Sequence, residues 1–243
     1  MTTVLKLGGS VITEKDTPET VDDTALERAA AALADPPARL VIVHGGGSFG
    51  HHHAAAHGVT TTVGTDDDEG IRAIHGAMKR LNAAVIDALT DAGVPAVPVH
   101  PLSAVHRRAD GTLRFPEGAV ETMLGEGFVP VLHGDVVAHE TKGATILSGD
   151  ELVVELGEAL SADRIGVCSA VSGVYDPAGD VIDRIDSFDD VENAVGESGD
   201  TDVTGGMAGK VRALLALDAP ASVFGIEALD SFIEGDDPGT RIQ

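Results

Sequence analysis

Short runs of β-branched residues alternate with alanine-rich segments along most of the chain, and no other feature limits its possible folds as strongly. Runs such as TVLKLGG, RLVIVHGGG and GFVPVLHGD have the composition of buried strands and end in glycine or polar turns. Helical patterns such as DTALERAAAALA and GDELVVELGEAL lie between them. Strands that alternate with helices predict a mostly parallel sheet covered by helices on both faces. The expected fold class is therefore α/β, a three-layer αβα sandwich.

Two segments interrupt this alternation. HRRADGTLRF, with Asp110-Gly111 at its centre, is typical of a small β-hairpin inserted in the α/β pattern. ESGDTDVTGG, residues 197–206, is the most loop-like stretch. Neither has the length of a linker between domains, so we expect one continuous sandwich with two lobes.

The charge balance narrows the possible partners. Forty acidic residues against 16 Lys and Arg give a formal net charge of -24, spread along the chain. Such a surface repels nucleic acid and anionic membranes, so we expect neither as a partner. Only 3% aromatic residues and the absence of Trp resemble proteins of salt-accumulating cytosols, where salt screens self-repulsion. The alternative is an acidic protein of a dilute cytosol.

The number of cysteines and the lengths of the apolar runs indicate the cellular compartment of the protein. Cys168 is the single cysteine, which excludes a disulfide within the chain, fits a reducing compartment, and predicts a buried small apolar residue. The N-terminal MTTVLKLGGS enters a strand pattern without the features of a signal peptide. No run approaches the roughly 18 apolar residues of a membrane span. We expect a cytoplasmic protein.

Glycines cluster where the predicted strands end. KLGGS, HGGGSFG and HGD follow strands, and TGGMAGK opens a helix. Glycine lets successive backbone N–H groups approach phosphate oxygens, and the dipole of a helix N-terminus reinforces this. One such loop is often only a tight turn. Several at the same sheet edge favour a phosphate site, because ligands of parallel sheets bind at the carboxyl ends of the strands.

The few lysines strengthen this interpretation. Of five lysines, Lys6 and Lys210 lie within glycine motifs and Lys15 follows the first motif closely. An ammonium is a compact charge suited to a polyphosphate. The P-loop pattern does not fit TGGMAGKV, which has Thr204 for its first glycine and Val211 for its Ser or Thr. No dinucleotide-binding GxGxxG follows an early strand, so a nucleotide site here belongs to another class.

KLGGSVITEK, HGGGSFGH, HGD, LSGDEL, SGVYD and DVTGGMAGK occur in this order, and together they resemble the amino acid kinase superfamily. Within it they are most similar to the isopentenyl phosphate kinases, because a histidine directly after GGGSFG separates these from acetylglutamate, uridylate and carbamate kinases. The resemblance implies one domain, residues 1–243, with an acceptor-binding lobe to about residue 145 and an ATP-binding lobe from about residue 146. It also implies ATP with Mg²⁺, isopentenyl phosphate as acceptor, and a homodimer formed through the N-terminal lobe.

The resemblance also assigns roles to residues. Those expected to bind ATP are Lys6, Gly8, Gly9, Ser10, Gly47, Gly206 and Lys210. Those expected to bind the acceptor are Gly46, Gly50, His51 and Gly134. Those expected to act in catalysis are Lys6, Lys15, His51, Asp150 and Lys210. Gly47 would lie between donor and acceptor, Lys15 would stabilise the moving phosphoryl group, and Asp150 would orient both other lysines. An acceptor phosphate is already an oxyanion, so His51 serves as a donor and no catalytic base is needed.

The remaining histidines are expected to be structural. Adjacent residues of an extended segment point in opposite directions, so the run from His51 to His53 is a poor zinc site, and we expect no metal ligands in the chain. His52 and His53 are expected at a helix start or in lobe packing. His44 and His133 end strands and are expected to line the cleft without reacting.

Three questions stay open from sequence. Ile71, Ile74 and Met78 fall at helical spacing and either line a pocket for the acceptor's tail or belong to the core. SAVSGVY, residues 169–175, lacks the acidic residues of the superfamily's TDVDGVY, which leaves the nucleoside contacts there undefined. Alternative functions are a fosfomycin-type or other small phosphate or phosphonate kinase, and a non-catalytic nucleotide-binding or metal-storage protein.

Overall fold

A computed structural model describes residues 1–191 and 206–243. The loop predicted at 197–206 lies outside the described residues except for Gly206. The strands are β1 (Thr3–Leu7), β2 (Leu40–His44), β3 (Ala96–Pro98), β4 (His106–Arg107), β5 (Leu113–Arg114), β6 (Val129–His133), β7 (Asp135–His139), β8 (Gly143–Leu147), β9 (Arg164–Ser169), β10 (Arg184–Ile185), β11 (Ala221–Gly225) and β12 (Thr240–Ile242). The α-helices are α1 (Gly9–Ile12), α2 (Asp23–Ala32), α3 (Gly47–Ala56), α4 (Asp68–Asp91), α5 (Pro101–Ala104), α6 (Glu117–Gly125), α7 (Gly149–Ala159), α8 (Gly206–Leu215) and α9 (Leu229–Glu234).

Eight strands form one sheet in the order β10-β12-β11-β9-β1-β2-β6-β3. Every pairing in it is parallel except β11 with β12. A second sheet has the order β5-β4-β7-β8. The predicted α/β class with a mostly parallel sheet is confirmed, and so is the hairpin, because β4 and β5 pair antiparallel around Gly111, whose φ is +92°.

Side chains of the central strands alternate between two cores, which explains the layers. Val4 and Val41 face a core that includes residues of α6, α7 and α8. Leu5 and Ile42 face the opposite core, with residues of α1, α2, α4 and α9. Because successive residues of a strand point to opposite faces, both faces of a central strand must be apolar to be covered by helices. Cys168 belongs to the second core and is fully buried, as predicted.

The topology brings the glycine motifs to one edge of the large sheet. β1 is parallel to both β2 and β9, and β2 is parallel to β6. The turns after these strands therefore share the edge where ligands of parallel sheets bind. Strands from the first 133 residues meet strands from residue 164 onward at the β1–β9 pair; the division into two lobes near residue 145 stays a prediction. Within the described ranges, none of the helices has both the length and the apolar character that a membrane span requires.

Candidate active site

The glycine turns after β1 and β2 are in backbone contact. A Cβ placed on Gly9 would lie 2.7 Å from Cα of Gly47 and closer still to its nitrogen. Gly47 has φ of +47°, and a side chain there would collide with Thr13. Real Cβ atoms do not approach other atoms this closely, and positive φ strains most other residues. The close approach of the two turns therefore requires glycine at both positions.

Helix α3 starts at the second turn and presents backbone N–H groups there. The first N–H groups of a helix have no acceptor within the helix. Ser48 N–H is satisfied by Thr13 Oγ1 at 3.0 Å. The N–H groups of Gly46 and Gly47 have no acceptor among the described residues. These two groups are thus available to an anion at the sheet edge.

The two glycines of the turn after β1 have different roles. Gly8 N–H donates to the Cys168 carbonyl at 2.9 Å, and a Cβ on Gly8 would lie 3.0 Å from that oxygen. Gly8 therefore lets β1 and β9 stay close at their ends. Gly9 and Ser10 follow as the first residues of α1, where their N–H groups point out of the helix start.

A buried ion pair lies beside the turns. Lys6 Nζ is 2.6 Å from Asp150 Oδ1, and the Lys6 side chain is only 8% exposed. Burial raises the pKa of Asp150, but the charges of Lys6 and Lys210 and the hydrogen bond from Lys6 outweigh it, so this pKa lies below its usual value. The structure therefore brings together three residues expected in catalysis, with the carboxylate between two ammonium groups.

Local sequence explains why Asp150 lies there. Ser148 caps α7, because its side chain accepts from Glu151 N–H at 3.1 Å while Glu151 Oε2 accepts from Ser148 N–H at 2.9 Å. This capping box starts the helix at Gly149. A Cβ on Gly149 would lie 3.3 Å from Lys6 Cε. The helix start thus holds Asp150 against the lysine of the central strand.

A cleft of about 360 Å³ opens beside this pair. Lys210 lines it from α8 and Arg107 from β4, together with Asp150 and Glu151 from α7. Arg107 is buried and pairs with Glu151 at 2.9 Å. Gly206 is the first residue of α8, with φ of +63°. The cleft combines Lys210 and Arg107 with the start of α7, and cations beside a helix start suit a polyphosphate.

Lys15 stands apart from this cluster. It lies in an exposed turn after α1 and makes no contact with Lys6 or Asp150 among the described interactions. Glu19 fixes the turn to α3 and α4, because it pairs with His53 at 2.6 Å and with Arg80 at 2.5 Å. The hydrogen bonds from His53 and then from Arg80 lower the pKa of Glu19. His53, which the sequence assigns only to packing or a helix start, therefore anchors the turn that carries Lys15.

The run of histidines is helical. His51, His52 and His53 all lie in α3, where the first two are exposed. The His51 ring leans over Gly46, since its Cδ2 would be 3.5 Å from a Cβ there. The His52 ring lies edge-on to the His53 ring, with centroids 5.2 Å apart. Among the described residues no three His, Cys, Asp or Glu side chains are grouped as metal ligands would be.

Gly134 and Gly50, which are also predicted to bind the acceptor, lie in different surroundings. A Cβ on Gly134 would be 3.9 Å from Gly46 N, which places the turn after β6 beside the turn after β2. Gly50 is buried, and a Cβ there would be 2.8 Å from Met78 Sδ. Gly50 therefore allows α3 to pack closely on α4.

His44 and His133 do not line the cleft, contrary to expectation. Both are fully buried, with ring centroids 5.5 Å apart. The Nδ1 of each lies within hydrogen-bond distance of the carbonyl of the next residue, 3.1 Å at Gly45 and 2.9 Å at Gly134. The contacts with these carbonyl groups therefore hold both rings in the interior, beneath the turns. The sequence carries a signal for this: in VHGG and LHGD a histidine precedes the glycine that ends a strand.

Ile74 and Met78 belong to the interior. Each is 1% exposed. Met78 is part of the core between the sheet and α4. Ile74, with partly buried Ile71, belongs to a separate small apolar cluster that includes Val136 of β7.

Comparison with known proteins identifies the family of the chain. A sequence profile described as the amino acid kinase family matches residues 1–218. An isopentenyl phosphate kinase of Haloferax volcanii is 63% identical over 242 residues, which cover 99% of this chain and 98% of that protein. An isopentenyl phosphate kinase of Methanothermobacter thermautotrophicus is 37% identical, covering 88% of this chain and 86% of that protein.

Solved structures give the same result. One described as isopentenyl phosphate kinase has a TM-score of 0.85 and 31% identity, with complete coverage of both chains. A product complex of the Thermoplasma acidophilum isopentenyl phosphate kinase has a TM-score of 0.80 and 26% identity, also over both full chains. The chain belongs to the amino acid kinase family and, within it, to the isopentenyl phosphate kinases.

Proposed function

We propose that the protein transfers the γ-phosphoryl group of ATP to isopentenyl phosphate, forming isopentenyl diphosphate and ADP. The observation that carries the proposal is the backbone contact of Gly9 with Gly47 beside the Lys6–Asp150 pair. This contact supports a site in which the turn that binds ATP touches the turn that binds the acceptor. The chain is also 63% identical to an isopentenyl phosphate kinase. In the reaction an acceptor phosphate oxygen bonds to the γ-phosphorus, and the bond from that phosphorus to the β–γ bridging oxygen breaks.

On the donor side, we assign the ATP phosphates to Lys6, Lys210 and the start of α1 at Gly9 and Ser10. The low pKa of Asp150 keeps its carboxylate charged between the two lysines at neutral pH. Asp150 thus orients the ammonium groups, and little reorganisation is needed as charge shifts in phosphoryl transfer. Gly206 starts the helix that carries Lys210.

On the acceptor side, we assign the phosphate of isopentenyl phosphate to the N–H groups of Gly46 and Gly47, to the turn at Gly134, and to His51. The open position of His51 over Gly46 suits a donor to phosphate. Lys15 would meet the transferred group from its turn. This role requires the turn to fold over the cleft, and Glu19 fixes the base of that turn.

Magnesium would be held mainly by the nucleotide. Mg²⁺ keeps several waters and often binds phosphate oxygens with one or two carboxylates. The described residues provide no group of three ligating side chains, and Asp150 is engaged by Lys6. These residues therefore fit a Mg²⁺ ion that binds together with ATP. Such an ion would neutralise part of the charge on the phosphates.

For the tail of the acceptor we assign the accessible edge of the small apolar cluster, formed by Ile71, Leu102 and Ile146, since Ile74 and Val136 lie in the interior. Ile71, Leu102 and Ile146 are only partly buried there. Apolar side chains of this kind favour a short hydrocarbon chain over a polar acceptor.

The test is turnover with ATP and Mg²⁺ on a panel of isopentenyl phosphate, fosfomycin and UMP. We expect diphosphate product from isopentenyl phosphate at a kcat/KM at least about 100-fold above the other two, since the tail adds several buried methylene groups. Preferred turnover of fosfomycin would indicate a phosphonate kinase. ATP binding without transfer to any acceptor would indicate a nucleotide-binding protein.

We further propose that the protein is a cytoplasmic homodimer, formed through the N-terminal lobe, that works in high salt. The net charge of -24 supports the last point. Light scattering of the purified chain in 2 M KCl tests the dimer, and a mass equal to one chain would contradict it.

A further inference from the structure

Two buried histidines beneath the acceptor turn have no place in the reaction as assigned, although their contacts are specific. His44 ends β2, and its Nδ1 is 3.1 Å from the Gly45 carbonyl oxygen. Its Nε2 is 3.0 Å from Oδ1 of Asn82 on α4. The ring is fully buried, and a buried polar ring that lost either partner would leave an unpaired group.

Each ring nitrogen of His44 lies beside an oxygen, but a neutral ring carries one hydrogen, and only the Asn82 amide can exchange its oxygen for a nitrogen. A carbonyl oxygen only accepts hydrogen bonds, so His44 Nδ1 must carry the hydrogen. Burial, with the neighbouring His133, lowers the pKa of His44 to about 3, so the ring is neutral and Nε2 is an acceptor. Its partner must then be the NH₂ of Asn82, which a half-turn of that amide supplies. Both ring nitrogens are satisfied in this arrangement.

The bond to Gly45 has a consequence on the other side of the same peptide unit. The Gly45 carbonyl and the Gly46 N–H belong to one planar trans peptide, in which they point in opposite directions. Holding the carbonyl toward the buried ring therefore turns the Gly46 N–H away from it. This N–H has no acceptor among the described residues.

We propose that His44 is a positioning residue, whose Nδ1–H holds the Gly45 carbonyl and so aims the Gly46 N–H at the acceptor phosphate. The inference rests on the proposed function, which defines that phosphate. Glycine has the freest backbone of all residues, so a Gly-Gly peptide needs such a restraint more than any other.

The same arrangement recurs on the neighbouring strand. His133 ends β6, its Nδ1 is 2.9 Å from the Gly134 carbonyl, and its Nε2 is 2.9 Å from His100 Nδ1. Gly134 N–H donates in turn to the His44 carbonyl at 3.0 Å. Both acceptor turns are thus held from below by a histidine at the preceding position.

Two variants separate positioning from packing. In His44→Asn the side-chain amide nitrogen stands as many bonds from Cα as Nδ1 does, so the bond to Gly45 is retained. In His44→Gln the nitrogen corresponds to Nε2, so only the contact with Asn82 is retained. Both replace the ring by an amide, and His44→Asn leaves the larger cavity because Asn is one methylene shorter, so lost packing alone would impair His44→Asn more. We expect KM for isopentenyl phosphate to be on the order of 10-fold higher in His44→Gln than in His44→Asn, with KM for ATP equal in the two. Equal acceptor KM values would overturn the proposal.

A second measurement needs no variant and does not depend on turnover. Nitrogen-15 NMR of the wild-type protein should show His44 protonated at Nδ1, and the Gly46 amide proton should shift when isopentenyl phosphate binds. His44 protonated only at Nε2, or an unmoved Gly46 amide despite binding, contradicts the proposal. If the wild-type protein fails to turn over isopentenyl phosphate, the proposed function fails separately. Titration with inorganic phosphate then tests Gly46 in the same way.

Discussion

At the scale of single residues, neighbouring side chains of one type differ in what surrounds them. His51, His52 and His53 follow one another in α3, yet His51 lies over Gly46, His52 lies beside the His53 ring, and His53 pairs with Glu19. Successive residues of a helix are turned about 100° from each other, so three adjacent histidines face three environments. The role of each histidine therefore depends on the surroundings of its own ring and not on its place in a run of three.

His51→Ala should lower kcat on isopentenyl phosphate on the order of 100-fold, because one donor to a phosphate in the transition state is lost. ATP binding, measured by calorimetry, should not change. His52→Ala is the matched control, since it removes an equally exposed imidazole from the same helix, and it should retain turnover. Unchanged turnover in His51→Ala would remove His51 from the site.

At the scale of elements, the distance between α1 and α3 is set by glycines. Thr13, one residue after α1, accepts from Ser48 N–H and donates to the Gly9 carbonyl at 2.8 Å. The two helix starts are thus joined by backbone contact and one hydroxyl. Any side chain at Gly9 or Gly47 must push them apart.

Gly9→Ala should cost about 1–3 kcal/mol of unfolding free energy through overpacking. The rate should also fall on the order of 100-fold, because misplacement by about 1 Å separates donor from acceptor. Gly118→Ala is the control: it lies in α6, where an added Cβ meets nothing within 4 Å. It should leave the rate unchanged and stabilise by about 0.5 kcal/mol. Chemical denaturation and steady-state kinetics measure both effects, and a rate equal to wild type in Gly9→Ala would refute the contact's role.

Sequence predicts the elements well because strand and helix periodicities are local. The α/β class, the hairpin at Gly111 and the burial of Cys168 follow from patterns of a few residues. Contacts between residues that are far apart in the sequence do not follow from such patterns. Glu19 pairs with Arg80 61 positions away, and Asn82 faces His44 38 positions away. Only tertiary packing brings such pairs together, so local sequence patterns do not predict the anchor of the Lys15 turn or the contacts of the buried histidines.

At the scale of the whole molecule, charge is the dominant property. Forty acidic residues repel one another in a compact chain that has 16 Lys and Arg. The attraction between Lys6 and Asp150 depends less on salt, because Lys6 is buried against Asp150. Exposed charges are screened by salt far more strongly than a buried pair.

The thermal unfolding midpoint should rise between 0.15 M and 2 M KCl, as the screening length falls from about 8 Å to under 3 Å. A gain of about 2 kcal/mol corresponds to about 4–8 °C for a domain of this size. Sucrose at matched osmolality is the control, since it stabilises by exclusion without screening charge. A midpoint independent of KCl, or an equal rise in sucrose, would show that repulsion does not limit stability.

The position of β1 in the sheet also has a consequence for amide hydrogen exchange. β1 is hydrogen-bonded to β2 on one side and to β9 on the other, so its amides can exchange only through large-scale opening. Lys15, by contrast, lies in an exposed turn, where opening is local and frequent. We therefore expect slow exchange at Lys6 and faster exchange at Lys15. Binding of both substrates should slow exchange around Lys15 and leave Lys6 as it was.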